Sequence, residues 1–572
     1  MKKQKNKNQS KYPGMKLFAG VIIAAVFLRL IYFLQITDSF LFQTPILDAK
    51  YYHLWALEIL KGDLAGRARG VFMMSPGYSY LLAAVYWIMG VNITAVAALQ
   101  FLSGAASGVI VYFTAKKFYS RAAAFIAMAL YLFYAPGIFF ESALLKASFI
   151  NFFNVLALYL LALGGPLFCA LSGVFTGLSV QLRPNALLLA PVFIAWIFIS
   201  GRRKLFSAVL FVCSLALVLL PVALRNYKVG GEFVVATAHG GMNLFTGNSQ
   251  FCLGPYTPMP FARTDPEVEQ EDFLNEARRL SGKNLTPAES SAFWTGQSLR
   301  FITGNPFAWG KLIYRKALIF LNNYEPQINL DYYFFRQEYN SVLSSVPVTF
   351  GVIMPAALLG MIFGGANFLL LGYFAVYFLS GLIFFVVSEY RFPAVPALAI
   401  YAGYGITLLF QKWKEYKIRE LFYLAGFLAF FVFISNIDIY SGLFGYNSYK
   451  RSNLANSYFG MGVTYEEKGL TQEAIASYEK ALEIMPQTGP LINMAGIYER
   501  RGNLDKAAEL NAAALRIYPG SAEASNNLGA IMFKKGKYLE AAEYFTQALS
   551  VKPDFEQAKK NLAVALKAAG KK

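Results

Sequence analysis

The chain has 572 residues, of which 56% are hydrophobic and only 15% are charged, and its mean hydropathy is +0.42. Soluble globular domains carry about 25% charged residues, so this composition excludes a soluble enzyme and predicts a protein with many membrane helices. The formal net charge is +19, and the three cysteines and two histidines form neither a disulfide framework nor a CxxC motif and leave little for a zinc site.

A basic amino-terminal segment precedes the first long apolar run, residues 17–36. No small-residue cleavage site follows this run, so we expect an uncleaved first span with its amino terminus in the cytoplasm. Because ~20 helical residues cross the hydrocarbon core of a bilayer, the later apolar runs predict further spans, for a total of about eleven. The later runs are residues 93–115, 121–138, 143–164, 166–181, 185–200, 205–224, 346–364, 367–387, 393–411 and 421–439.

The apolar run at residues 78–89 is short for a span, and we interpret it as a half-buried or interfacial helix. With that interpretation the Lys/Arg clusters between spans, for example Lys116 with Lys117, all face the cytoplasm. Two polar segments, residues 37–92 and 225–345, then lie on the outer side. Fixed charges near the ends of membrane helices are costly, so those on the outer side are candidates for function.

Asp48 is the first of these outer residues. It follows a proline turn and begins a helical pattern in which Tyr51, Tyr52 and Trp55 share an aromatic face. An aspartate in this position is often only a helix cap, so the pattern alone leaves its role open.

Glu141 and Arg183 lie at outer turns between predicted spans. Glu141 has Lys146 five residues later, and a structural ion pair between them is the alternative to a functional role. Arg183 precedes Pro184, which suits the first turn of a helix. Its guanidinium could bind a phosphate, or could extend from the helix end to the membrane surface.

The outer segment contains His239, followed by Gly240 and Gly241, whose backbone amides could approach a phosphate or a sugar. Residues 232–237 alternate between polar and apolar side chains, which predicts a short strand. Residues 305–322 are apolar but are interrupted by cations, which predicts a helix on the membrane surface with its cations near lipid headgroups. These cations are Lys311, Arg315 and Lys316.

The end of the chain contains an internal repeat. Gly462, Ala495 and Gly529 recur at intervals of 33 and 34 residues, as do sets of alanines and prolines. These intervals are typical of tetratricopeptide repeats, in which small residues let paired helices approach closely. We therefore predict three repeats in residues 453–572, closed by a capping helix at residues 556–569. Such an array either binds a partner polypeptide or serves only packing and self-association.

Several stretches of residues 17–410 resemble GT-C glycosyltransferases, which are polytopic enzymes that use polyprenyl-phosphate-linked sugars. This superfamily includes protein O-mannosyltransferases and lipid A aminoarabinose transferases. The order and spacing of the stretches carry the resemblance, although many members have a second acidic residue where this chain has Ala49. The stretches are FMMSPGYSYLLAAVYW, APGIFFESALLKASF, QLRPNALLLAPV, LRNYKVGGEFVVATAHGGMNLFTGN and SEYRFPAVPALAIYAGYG.

The resemblance implies that Asp48 is the general base and that Glu141 is a second carboxylate, either orienting the acceptor or sharing a divalent cation with Asp48. It assigns the donor phosphate to Arg183, with His239 as a further candidate.

Arg391 either is a second phosphate ligand or pairs with Glu389 two residues before it. Tyr51, Tyr52 and Lys146 are candidates for contact with the acceptor or the sugar, and packing is the alternative for the two tyrosines. No cofactor is certain, and a divalent cation at Asp48 and Glu141 is left open.

We therefore expect an all-α membrane protein. A GT-C-like bundle of spans forms residues 1–440, residues 441–452 are a linker, and an α-solenoid of repeats follows. It would transfer a sugar from a polyprenyl phosphate, with inversion, to an acceptor on the outer face.

The acceptor would be a protein hydroxyl or, alternatively, a lipid or surface glycan. An O-antigen ligase or polymerase and a non-enzymatic scaffold are the other classes considered. The short loops and the basic start favour a bacterial cytoplasmic membrane, and the Lys/Arg clusters place the catalytic face and the repeats outside. Partners are the lipid-linked sugar, membrane lipid and the acceptor. Nucleic acid is not expected.

Overall fold

The computed structural model describes residues 13–37, 39, 44–201, 203–263, 265–339, 341–439, 447–553 and 555–570. The basic start, residues 1–12, lies outside the described residues, as does the part of the predicted linker at residues 441–446. Two compact units divide between Ile439 and Tyr440. Helices form both units, short 3-10 turns lie between helices of the first unit, and no strand occurs in the described residues.

The first unit contains twenty helices in the part of the chain that is described. The membrane part begins with α1 (Pro13–Ile36), α2 (Asp48–Leu60), α3 (Gly77–Met89), α4 (Ile93–Phe118), α5 (Arg121–Leu132), α6 (Ala135–Ser142), α7 (Ala147–Leu163), α8 (Pro166–Leu182), α9 (Leu189–Ser200) and α10 (Lys204–Gly230). The polar segment that follows contains α11 (Gly240–Gly247), α12 (Pro266–Ser281), α13 (Pro287–Gly304), α14 (Pro306–Leu321) and α15 (Tyr332–Glu338). The last helices are α16 (Phe350–Phe363), α17 (Phe368–Ile383), α18 (Ser388–Arg391), α19 (Val395–Lys414) and α20 (Ile418–Asn436).

An apolar helix or helix pair lies at each of the predicted spans. Five are long and apolar enough to cross a membrane alone, and a sixth forms if α5 and α6 count as one bent span. The five are Met15–Ile36, Ile93–Phe118, Lys204–Gly230, Ser388–Lys414 and Ile418–Asn436. The remaining predicted spans coincide with apolar helices of 10–17 residues, so the total of about eleven stays a prediction.

The bend between α5 and α6 brings a buried ion pair into the bundle. The two helices meet at 50°, and Pro136 in the first turn of α6 cannot continue the α5 hydrogen-bond ladder. Arg29 of α1 donates to the exposed end of that ladder, with 2.9 Å between its Nη1 and the carbonyl oxygen of Leu132. The same guanidinium holds the Glu141 carboxylate at the end of α6.

Residues 232–237 do not form the predicted strand. A strand needs a neighbouring strand for its backbone groups, and here these groups bond elsewhere. The amide of Val234 bonds the carbonyl of Glu232, and the Glu232 carboxylate receives the Thr286 hydroxyl and the Ala288 amide at the start of α13. The segment is therefore irregular, and it connects the end of α10 to the start of α13 through the Glu232 side chain.

Helix α14 forms as predicted, but one of its cations does not face lipid. Lys316 is fully buried, and its Nζ donates to the carbonyls of Gly247, Leu382 and Phe384 at 2.7, 2.9 and 2.5 Å. These carbonyls lie at the ends of α11 and α17, where a helix leaves its acceptors unpaired. Lys316 therefore joins two helix ends, and its placement at lipid headgroups was wrong.

The second unit is built from helix pairs followed by a last helix. They are α21 (Asn447–Glu467) with α22 (Thr471–Ile484), α23 (Thr488–Arg500) with α24 (Leu504–Ile517), α25 (Ala522–Lys534) with α26 (Tyr538–Val551), and α27 (Glu556–Ala569). Residues 447–452, predicted as linker, are helical and belong to α21. The last helix spans the residues predicted for the cap.

Small residues in the repeats allow the close helix approach that the intervals predict. A Cβ at Gly462 would lie 2.5 Å from the Tyr478 ring, and one at Gly529 would lie 2.6 Å from the Phe545 ring. Ion pairs then tie each repeat to the next, as between Glu499 and Lys534 at 2.8 Å.

Candidate functional site

Asp48 is the first residue of α2, and its side chain does not cap that helix. The residue before it, Leu47, has a φ of 50°, a left-handed conformation that is uncommon for a branched side chain. This turn directs the Asp48 carboxylate to Asn329, whose Nδ2 lies 3.2 Å from Asp48 Oδ2. The same amide nitrogen lies 3.2 Å from Glu389 Oε2, so Asn329 joins two carboxylates.

Arg183 lies on the other side of Glu389. Its Nη2 forms an ion pair with Glu389 Oε1, and its Nη1 donates to the Glu389 carbonyl at 3.1 Å. The guanidinium carbon lies 4.2 Å from the centre of the Tyr390 ring. The residue is 5% exposed, and its Nε has no hydrogen-bond partner among the described residues. Arg183 is therefore a buried cation with a donor to spare.

Lys146 and Tyr52 complete the group. Lys146 precedes α7 and donates its Nζ to the Tyr52 hydroxyl, and both side chains are buried. We call the group the polar cluster: it consists of Asp48, Tyr52, Lys146, Arg183, Asn329 and Glu389. Four of these six residues were predicted as site residues from the sequence.

The surroundings of Asp48 in the polar cluster raise its pKa. Burial raises the pKa of Asp48 above its ordinary value, and Glu389 acts in the same direction. The charges of Lys146 and Arg183 and the hydrogen bond from Asn329 oppose this rise. A carboxylate with a raised pKa accepts a proton more readily, as a general base must.

His239 lies beside the polar cluster but is uncharged at neutral pH. Burial, together with the positive charge of Lys146, lowers the pKa of its imidazole to about 4. Gly241 serves packing, because a Cβ there would lie 1.8 Å from the Ser291 carbonyl oxygen of α13. A cationic role of His239 toward a phosphate therefore has no support in this geometry.

Glu141 is held by Arg29 and not by Lys146, which corrects the ion pair expected from the sequence. Its Oε2 lies 2.7 Å from Arg29 Nε and its Oε1 lies 2.9 Å from Arg29 Nη2, and both residues are almost fully buried. A Cβ at Gly104 would lie 2.0 Å from Oε1, so α4 closes over the carboxylate.

A cation shared by Asp48 and Glu141 does not fit this arrangement, because both Glu141 oxygens accept from Arg29. In the described part of the chain, no group of three or more His, Cys, Asp or Glu residues could hold a metal ion. The structure thus gives no support to the possible metal site.

The guanidinium of Arg391 already bonds protein groups, and this argues against a role as phosphate ligand. It pairs with Glu325 at 2.5 Å and donates to the carbonyls of Phe320, Asn322 and Tyr324. It is 1% exposed. Its carboxylate partner is therefore Glu325 and not Glu389, which was the alternative considered from the sequence. Arg391 anchors the loop after α14, which carries Asn329 to Asp48.

Tyr51 packs between Arg69 and Tyr52. The Arg69 guanidinium lies 4.8 Å from the centre of the Tyr51 ring and also pairs with Glu58 at 2.7 Å. The Tyr51 and Tyr52 rings meet edge to face at 5.8 Å. Packing thus accounts for Tyr51, while only Tyr52 reaches the cluster.

Sequence reasoning missed three polar residues near Asp48. Asn329 lies in a loop without a motif, and Glu389 was considered only as a partner of Arg391. Glu269 of α12 accepts a hydrogen bond from the Tyr256 hydroxyl at 2.7 Å. Burial raises the pKa of Glu269 to about 7, and the charge of Asp48 acts in the same direction. Glu269 is one of several acidic residues in the sequence of α12, and nothing in that sequence indicates that its side chain faces inward.

Comparison with known proteins identifies relatives of the whole chain only among solved structures. A search of curated protein sequences gave no match. An oligosaccharyltransferase from Archaeoglobus fulgidus, tethered with an acceptor peptide containing the NVT sequon, is similar with a TM-score of 0.42 and 16% identity, over 82% of this chain and 59% of that chain. AglB from the same organism, in complex with an inhibitory peptide and a dolichol-phosphate, gives a TM-score of 0.41 and 16% identity over 79% and 58%.

ArnT from Cupriavidus metallidurans, in the apo state, is similar with a TM-score of 0.34 and 13% identity, over 68% of this chain and 78% of that chain. The chain spans about three fifths of the length of the oligosaccharyltransferases. These solved structures are of GT-C glycosyltransferases, the superfamily whose members the sequence resembles. A similarity at this level does not bear on donor, acceptor or sidedness.

The repeats have a direct match. Models described as tetratricopeptide repeat match residues 455–488 and 489–554. The prediction from the 33- and 34-residue intervals is thereby confirmed. The carboxy-terminal unit is an array of tetratricopeptide repeats.

Proposed function

We propose that the protein is a membrane glycosyltransferase that moves a sugar from a polyprenyl phosphate to an acceptor hydroxyl at the polar cluster. The observation that supports it most strongly is the joining of Asp48 to Arg183 through Asn329 and Glu389. A group that removes a proton and a group that stabilises a leaving phosphate thus stand within one buried network.

In the proposed reaction, the Asp48 carboxylate removes the proton of the acceptor hydroxyl. The acceptor oxygen forms a bond to the anomeric carbon while the bond from that carbon to the phosphate oxygen breaks. The electron pair of the broken bond leaves with the polyprenyl phosphate, whose negative charge Arg183 and Lys146 stabilise. Because the acceptor attacks opposite to the leaving group, the configuration at the anomeric carbon inverts.

Glu389 occupies the position on Arg183 that a phosphate would take. The Glu389 carboxylate accepts from Arg183 Nη2, and an oxygen of the donor phosphate would accept there in its place. Binding of the donor would move Glu389 away from Arg183. The free Nε of Arg183 offers a first contact before that exchange.

A lipid-linked donor agrees with the location of these groups. Arg183 and Lys146 lie at the ends of apolar helices, where the phosphate of a membrane lipid would arrive. The sequence has no GxGxxG or P-loop unit for a nucleotide sugar. The bacterial cytoplasmic membrane, with the polar cluster and the repeats outside, belongs to this proposal because the Lys/Arg clusters favour that orientation.

A polypeptide is the acceptor that the repeats favour. Tetratricopeptide arrays present an extended concave surface for another chain, so this unit would hold the acceptor polypeptide. A tethered acceptor has a high effective concentration at the catalytic site, which raises transfer without changing the chemistry.

The test uses the purified full chain in proteoliposomes with a radiolabelled polyprenyl-phosphate sugar and envelope proteins as acceptors. We expect label to leave the lipid and to appear on protein, and we expect nucleotide sugars to be inert. Consumption of nucleotide sugars, with every lipid-linked sugar left unchanged, would contradict the proposal.

A chain that ends at residue 446, before α21, separates the two acceptor classes. If the repeats hold the acceptor, transfer to protein falls about 100-fold at low acceptor concentration and recovers at saturation. Transfer to lipid with undiminished rate in both chains would favour lipid modification instead.

A further inference from the structure

A row of uncharged polar side chains extends from the polar cluster into the helical bundle. Asn154 of α7 donates its Nδ2 to the Tyr377 hydroxyl of α17 at 2.6 Å. Ser380, three residues after Tyr377 and on the same face, accepts from Asn185, which is two residues after Arg183. We call Asn151, Asn154, Tyr377 and Ser380 the amide row. All four are at most 5% exposed.

Two helices place the amide row at the same depth. Asn151 and Asn154 are four and seven residues after the start of α7, which follows Lys146 directly. At 1.5 Å per residue they lie roughly 6 and 10 Å along the helix from that end. Tyr377 is six residues before the end of α17, or roughly 9 Å. The row therefore begins next to Arg183 and Lys146 and continues inward.

The amide row has more hydrogen-bonding capacity than the described residues use. Both polar atoms of the Asn151 amide lack a partner, and so does Asn154 Oδ1. Polar atoms buried among apolar helices are nearly always bonded, since each unpaired one costs free energy. The bond from Asn154 to Tyr377 alone would suffice to join two helices, as polar residues do in membranes. That bond accounts for Asn154 but does not explain why Asn151 is buried with both polar atoms unbonded.

The chemistry of the row indicates its ligand. Amide and phenol groups both donate and accept, and the row carries no charge, so it suits a neutral ligand with several hydroxyls and not a second phosphate. We propose that the amide row binds the sugar ring of the lipid-linked donor and selects among sugars. This inference rests on the proposed function. Arg183 and Lys146 would hold the phosphate, and the row would hold the sugar attached to it.

The test compares two kinds of probe with the full chain in lipid nanodiscs. One is polyprenyl phosphate without a sugar, and the other is a panel of polyprenyl-phosphate monosaccharides that covers hexoses, N-acetylhexosamines and pentoses. The measured quantity is sugar selectivity: the affinity for the best sugar-bearing lipid divided by the affinity for the sugar-free lipid. We expect a selectivity of about tenfold or more, because a site built to bond hydroxyls rejects a ligand that lacks them.

The double variant Asn151→Leu/Asn154→Leu should reduce the selectivity to about one while the affinity for sugar-free lipid stays within about twofold. Tyr377→Phe, which removes only a hydroxyl, should reduce it several-fold and serves if the double variant does not fold. Thr176→Val is the control, because this buried hydroxyl bonds the Ser172 carbonyl of its own helix, and it should leave the selectivity unchanged.

Three outcomes of this experiment distinguish the inference about the amide row from the proposed function. Loss of selectivity in the amide-row variants alone supports the inference. Unchanged selectivity in these variants, or equal wild-type affinity for lipids with and without sugar, overturns the inference but leaves the lipid-linked donor intact. Failure of the wild type to bind any polyprenyl phosphate removes the proposed function, and the inference with it.

Discussion

Replacement of Asp48 by asparagine should abolish sugar transfer and leave the fold intact. The variant removes the proposed base, and loss of a general base lowers rates by about 100-fold to 10,000-fold. Asparagine keeps an oxygen for the bond from Asn329. Because burial raises the pKa of Asp48, the ionised side chain does not stabilise the fold at neutral pH, so its loss should not lower stability. The measurements are transfer in proteoliposomes and thermal unfolding.

The pH dependence of the wild type gives an independent check on Asp48. The base acts when deprotonated, so transfer should fall as the pH drops through the raised pKa of Asp48. This fall should occur above the value of about 3.9 for an ordinary aspartate, and residual activity of Asp48→Asn should not show it. The matched control is Asp265→Asn. Asp265 is an exposed cap that bonds the Glu267 amide, and asparagine caps equally well. Full transfer by Asp48→Asn would refute its role as base.

Replacement of Glu141 alone should destabilise the protein strongly, whereas joint replacement with Arg29 should not. Glu141→Gln leaves a buried guanidinium without its carboxylate, which costs about 3–5 kcal/mol. The double variant Arg29→Met/Glu141→Leu removes both charges and loses the bonds to the Leu132 and Ala25 carbonyls, so we expect a cost of about 1–2 kcal/mol. Thermal unfolding of single and double variants measures the difference.

The rate of sugar transfer by the double variant then shows whether Glu141 takes part in the reaction or only pairs with Arg29. If the carboxylate only pairs with Arg29, the folded double variant should transfer sugar at a rate near that of the wild type. A double variant that folds but transfers no sugar would restore Glu141 to the reaction. Arg29→Met alone is the companion control, because it leaves the carboxylate buried and should be as unstable as Glu141→Gln.

Local patterns were sufficient for much of this protein. The interval between Gly462, Ala495 and Gly529 predicted the repeats because close approach to Tyr478 and Phe545 requires small residues there. The apolar runs of the sequence predicted where the helices lie, because a helix that crosses the hydrocarbon core needs a continuous run of apolar residues. Asp48 and Arg183 were recognisable because the stretches around them resemble GT-C glycosyltransferases, and Asn329 and Glu389 connect the two residues in the structure.

Ion-pair partners were not predictable, because they are set by tertiary structure. The sequence suggested Arg391 as the partner of Glu389, but residues two apart on a helical turn point in different directions. Arg391 therefore reaches Glu325, and Glu389 reaches Arg183. The sequence likewise suggested Lys146 for Glu141, but a break between α6 and α7 separates them. Arg29, the partner of Glu141, is 112 residues away.

Asn329 shows a second limit of the sequence. It belongs to no motif, and it bonds Asp48 from a loop whose preceding carbonyls, those of Asn322 and Tyr324, accept from Arg391. A residue placed by the contacts of another residue leaves no local pattern. The amide row was missed for a related reason, because Asn151 and Asn154 lie inside an apolar run and only the packing of α7 against other helices shows them buried and partly unbonded.

The most direct measurement is an electron cryomicroscopy structure of the chain in a nanodisc with a non-cleavable polyprenyl-phosphonate sugar. The account predicts the phosphonate on the Arg183 guanidinium, in the place that the Glu389 carboxylate now takes. It also predicts the Asp48 carboxylate on the opposite side of the anomeric carbon. A phosphonate bound away from Arg183, or an anomeric carbon out of reach of Asp48, would contradict it.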